Sequence, residues 1–90
     1  MYVIHKWPLT GPETVIQMPW QAHVLDAILQ DDEIVVYILA DTTLVKSPWR
    51  FLCLNTGNAF NDPPGAFIRT LQTTNGIVWH VFYRNERVLL

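Results

Sequence analysis

Cysteine is nearly absent: Cys53 stands alone among 90 residues, so no internal disulfide can staple the chain. Set in the apolar run Phe51-Leu52-Cys53-Leu54, it reads as a small buried hydrophobe rather than a reactive thiol. Charge is sparse as well, 16% of residues with a formal net of −2, and the four arginines and two lysines form no basic block. That excludes a general duplex nucleic-acid binder, which needs a basic stripe to track phosphates. No apolar run approaches the roughly 20 residues of a membrane-spanning helix. Met1-Tyr2-Val3-Ile4-His5-Lys6 lacks the layout of a signal peptide, so a cytoplasmic setting without membrane partners is expected.

Catalytic sets are missing in the same way. His5, His23 and His80 fall on three separate segments with no H-x-H pair, and Cys53 is distant from each. Asp31-Asp32-Glu33 has no further ligands at EF-hand spacing. The expectation is therefore no enzymatic activity, no metal and no cofactor.

What is present is apolar residue, 50% of the chain. Ninety residues make a single domain, 1–90, with a small core. So much apolar character under so little charge predicts exposed apolar surface and a homo-oligomer.

Asn75–Tyr83, N-G-I-V-W-H-V-F-Y, is the strongest strand in the chain. Alternation sets Ile77, Trp79, Val81 and Tyr83 against Val78, His80 and Phe82, which predicts a central strand. Asn75-Gly76 reads as a two-residue type I′ turn joining it to a strand over Ala66–Thr73, with Arg69 facing Phe82 and Leu71 facing His80. Earlier in the chain, Tyr2–Leu9 and Thr14–Met18 read as strands that lie at sheet edges or stop at Pro8 and Pro19. Ala22–Gln30 fits a helical stripe and a half-apolar strand; strand is preferred, paired with Ile34–Ala40 through the polar turn Asp31-Asp32-Glu33. Asp41–Trp49 reads as a connection and Arg50–Asn55 as a strand. About seven short strands predict an all-β antiparallel sandwich or small open barrel, α+β if Ala22–Gln30 is helical. Residues 84–90 read as a C-terminal tail whose Val88-Leu89-Leu90 docks on its own body or a neighbour.

Lys6-Trp7-Pro8-Leu9, Thr14-Val15 with Met18-Pro19, Thr56-Gly57 with Phe60, Pro64-Gly65 and Val78-Trp79-His80-Val81-Phe82 follow one another along nearly the whole chain. In that order and spacing the chain resembles a family of short uncharacterised proteins encoded by bacteriophages and prophages. Members usually end near the W-H-V-F segment, so Tyr83–Leu90 departs from their pattern. The resemblance brings no activity with it. It implies a viral accessory protein in the host cytoplasm, of the kind that acts against host defences by binding a host protein or taking up a nucleotide signal.

The loop Thr56–Gly65 is the first site candidate. Gly57 and Asn58 tolerate left-handed backbone, so their N–H groups could converge on an anion, with Thr56 and Asn58 side chains as donors. Arg50 and Arg69, on strands flanking the loop, could clamp a phosphate, while Phe60, among Trp7, Trp49 and Trp79, could stack a base. His80, between Val78 and Phe82 and opposite Leu71, joins the set as a titratable group, against the plainer reading of a core or interface histidine bonded to a neighbour. The plain alternatives are a wide turn stiffened by Pro63-Pro64, arginines reaching to solvent and aromatics spent on the core. Two functions follow: sequestration of a small anionic, nucleotide-derived ligand at a cleft between subunits, or inhibition of a host protein by docking through apolar surface and the acidic tip.

Overall fold

Residues 1–86, which the computed structural model describes, contain seven strands and no helix. They are β1 (Tyr2–Pro8), β2 (Glu13–Pro19), β3 (His23–Gln30), β4 (Glu33–Asp41), β5 (Lys46–Asn55), β6 (Ala66–Gln72) and β7 (Val78–Asn85). One sheet has the order β1-β4-β3 and the other β2-β5-β7-β6, with every pairing antiparallel. The all-β expectation holds, the architecture is a two-sheet sandwich, and Ala22–Gln30 resolves as strand.

Period-two alternation builds the core. Ile34, Val36, Ile38 and Ala40 of β4 face Ile16 and Met18 of β2, Trp49, Phe51 and Cys53 of β5, and Val81 of β7, all buried. As expected, β7 is central, between β5 and β6, and β1 and β2 are edge strands that end on their prolines. The turn between β1 and β2 carries the chain from one sheet to the other. Thr14 Oγ1 staples it, accepting from Thr10 N and donating to Thr10 O.

Four sequence expectations change. The chain between β4 and β5 is only residues 42–45, because β5 begins at Lys46 rather than Arg50. Pro48 fits inside it because its missing N–H falls where pairing with β7 stops, and its carbonyl still accepts from Glu86 N at 2.8 Å. Next, the Asn75-Gly76 turn is not type I′. Thr73 N donates to Ile77 O and Gly76 N to Thr73 O, both at 2.9 Å, so the loop is Thr74-Asn75-Gly76, and only Gly76 takes a positive φ, 87°. This three-residue turn shifts the β6–β7 register by one: Arg69 pairs with Val81, Thr70 with His80 and Leu71 with Trp79.

The two-residue turn with both φ positive lies instead at Asp31 (51°) and Asp32 (62°), between Gln30 and Glu33. Its acidic tip is not simply solvated, since the Asp32 carboxylate accepts from Thr74 N at 3.3 Å and from the Thr74 hydroxyl. Finally, β7 runs on through Arg84 and Asn85, so the tail starts later than residue 84. The docking expectation for Val88-Leu89-Leu90 lies outside the described residues.

Candidate functional site

On the outer face of the four-stranded sheet, β5 presents Leu52 and Leu54 while β7 presents Val78, His80, Phe82 and Arg84, the partners of their buried neighbours by alternation. The loop after β5 folds over this face. Together Leu54, Thr56, Asn58, Phe60, His80 and Phe82 line a cleft of about 270 Å³. Thr56, Gly57, Asn58, Phe60 and His80 of the anticipated set thus meet in one place.

The imidazole is gripped on both sides. His80 Nε2 lies 2.7 Å from Thr56 Oγ1 and Nδ1 lies 2.9 Å from Thr70 Oγ1. A hydroxyl both donates and accepts, so either neutral tautomer is satisfied and the ring is fixed in the cleft wall. Gly57 takes φ +90° to turn the loop, and Asn58 N closes that turn on Asn55 O at 3.3 Å. Thr56 N likewise donates to Val78 O at 3.3 Å. Those two N–H groups are committed to the backbone, and the loop's offer to a ligand is its side chains.

The arginines go elsewhere. Arg69 shares the inward side of β6 with its partner Val81, away from Phe82, and donates to Asp26 of β3 at 2.8 Å. It therefore does not face Phe82, the partner that the two-residue turn predicted. Arg50 is on the outer face but pairs with Glu13 and, at 2.6 Å, with Glu86. Both carboxylates raise the Arg50 pKa, Glu86 first. Glu86 also accepts from Arg84 Nε at 2.8 Å, and Arg84 with Arg50 holds its carboxyl below the usual range.

Arg84 is the residue sequence reasoning passed over. Its Nη1 donates to Pro63 O at 3.2 Å, so it anchors the loop to β7. A second hollow on the far side of Phe60 is lined by Glu13, Leu52, Asp62 and Arg84. Continuing the alternation of His80 and Phe82 by two residues would have placed Arg84 on this face. Gly65 docks the end of the loop: with φ +101°, a Cβ there would run into Tyr83 O and lie 3.1 Å from Arg84 Cβ.

Of the aromatics, Trp49 is core, stacked on Tyr83 at 5.6 Å, Trp79 faces the core and Trp7 stands on the other sheet. Phe60, 53% exposed, is the one over the cleft. Among the described residues, no three of His, Cys, Asp and Glu gather as a metal-binding group. Burial pushes the Cys53 thiol up to about 11, which keeps it protonated. No described helix is long and apolar enough to cross a membrane.

A family model described as a domain of unknown function (DUF7352) matches residues 1–89. No curated protein and no solved structure matches the chain.

Proposed function

The chain belongs to the DUF7352 family, whose description names no activity, and from the chemistry of the cleft we propose a non-enzymatic binding protein for a planar, nucleobase-type ligand. One observation carries this reading: Phe60 and Phe82 bring two aromatic rings, and Thr56 and Asn58 two hydrogen-bonding side chains, to a single hollow walled by the fixed ring of His80. Stacking on a ring with polar groups at the edge is how single bases are held.

Electrostatics narrow the ligand. Around Phe60, Arg50 and Arg84 are balanced by Glu13 and Glu86, with Asp62 adding a further carboxylate. A phosphate would have to displace a carboxylate, so the base rather than the anionic end is the recognised part. For the setting we propose what the resemblance of the sequence implies: a viral accessory protein that withdraws a nucleotide-derived signal in the host cytoplasm.

Calorimetric titration with adenosine, guanosine, their 5′-monophosphates and cyclic dinucleotides tests the reading. Nucleosides are expected to bind at least as tightly as their monophosphates, and Phe60→Ser to cost about 1–3 kcal/mol of affinity. Absence of heat with every compound, or a tenfold preference for the monophosphates, overturns it.

A second reading, docking on a host protein, is favoured by Phe67, 57% exposed and packed on Phe82 of the cleft wall at 5.6 Å, which carries apolar surface past the cleft. A photocrosslinking residue at Phe67 should then join one host protein in cells, while the same residue at Tyr2 does not. Adducts with a second copy alone would point to self-association instead.

A further inference from the structure

At one end of the sandwich, between the two sheets, lies a hollow of about 450 Å³, larger than the outer-face cleft. Its walls come from four separated parts of the chain: Leu9 just after β1, Ile34 at the start of β4, and Cys53 of β5 and Trp79 of β7 from the inner face of the other sheet. These four are apolar, and the thiol is held neutral by burial. The size falls within the roughly 300–1,000 Å³ of small-molecule sites.

The rim has one sign of charge. Asp32 of the β3–β4 turn and Glu33, the first residue of β4, line the mouth, and among the described residues neither lysine nor arginine lines it. Asp32 is tied to Thr74, which holds its carboxylate in place, while Glu33 is exposed. Lys6, the nearby cation of β1, is on the outer side of its sheet, bonded to Gln30 Oε1 at 3.1 Å. An apolar chamber under a carboxylate rim selects an apolar body with one positive end.

We infer that this end chamber binds small amphipathic cations, the alkyl- or arylalkyl-ammonium class, with the apolar part against Leu9, Ile34 and Trp79 and the ammonium at Asp32 and Glu33. The site lies on the opposite side of the sheet from the Phe60 cleft, since Trp79 faces inward where His80 faces outward, so the two readings stand independently.

Octylammonium and octanoate, matched in apolar length and opposite in charge, are the probes. Titrated into the ¹⁵N- and methyl-labelled protein, octylammonium is expected to give saturable shifts at the Trp79 indole and the Ile34 methyls, with no comparable shifts at Phe60 or His80. Octanoate should bind at least about fivefold more weakly, the scale of an exposed ion pair. Glu33→Gln, at the exposed first position of β4, should narrow that ratio without lowering Tm. Absence of shifts at Trp79 and Ile34, equal binding of the two probes, or an unchanged ratio in Glu33→Gln overturns the proposal.

Discussion

Arg69 on β6 and Asp26 on β3 form an ion pair at 2.8 Å that links the edge strands of two different sheets. Asp26 follows the bulge at Leu25, and Arg69 follows the one at Ile68, so each side chain is re-aimed where its ladder is irregular. The Asp26 pKa is lowered, chiefly by the Arg69 hydrogen bond and then by Ala27 N–H. Arg69→Ala is therefore expected to lower Tm by a few degrees and leave ligand affinity at the Phe60 cleft unchanged. Asp26→Asn should have the same direction, and the double variant should lose less than the sum. A loss of affinity at constant Tm would return Arg69 to the binding site.

Acid should loosen the fold within a definable window. The Asp41 carboxyl is lowered from 3.8 to about 2, first by the Thr43 hydroxyl and N–H and then by the N-terminal ammonium, each 2.7–3.0 Å away. A carboxyl with a depressed folded-state pKa contributes stability that is complete above its unfolded value and lost as pH falls through the folded one. Asp26 and Glu86 shift in the same direction. Urea midpoints should be flat from neutrality to about pH 5 and fall between about pH 4 and 2. In Asp41→Asn that fall should shrink; an identical acid profile would remove Asp41 from the account.

Local patterns made much of this fold readable. Ile34–Ala40 is an unbroken β-prone run and became β4, with Ile34, Val36, Ile38 and Ala40 turned to the core, and Val78–Phe82 became a central strand. Turn geometry was less readable, because Asn-Gly suits both the two-residue loop and the three-residue loop that forms. Choosing the wrong one displaced every β6–β7 pair and moved Arg69 to the wrong side. Partners distant in sequence carried no signal at all: Arg50 meets Glu13 and Glu86, 37 and 36 positions away, and Arg69 meets Asp26 across 43. The loop's side chains could be grouped from the sequence, whereas the neutralisation of the arginines beside them depended on which strands became neighbours.

Two loop glycines should respond differently to the same change. Gly57 has φ +90° and nothing within 4 Å of a new Cβ, so Gly57→Ala should cost only left-handed strain, about 1 kcal/mol. Gly65, at φ +101°, adds a collision with the Tyr83 carbonyl oxygen in the neighbouring strand. Gly65→Ala is expected to cost roughly 3 kcal/mol or more and to lift the loop from Arg84. Denaturant melts of the two variants give the comparison. Equal losses would mean that the end of the loop is not seated on β7.

Cys53 reports on the whole sandwich. Its side chain is 4% exposed, between β2 and β7 in the centre of the larger sheet, and burial pushes the thiol up to about 11. At pH 8 the native thiol is both covered and protonated, so a disulfide reagent such as dithiobisnitrobenzoate should label it only through opening of the fold. Labelling should be slow in buffer, accelerate with urea, and run faster in Gly65→Ala than in Gly57→Ala by the difference in their stabilities. Complete labelling within seconds in native buffer would show that β5 is not covered as described, and would also remove a wall of the end chamber.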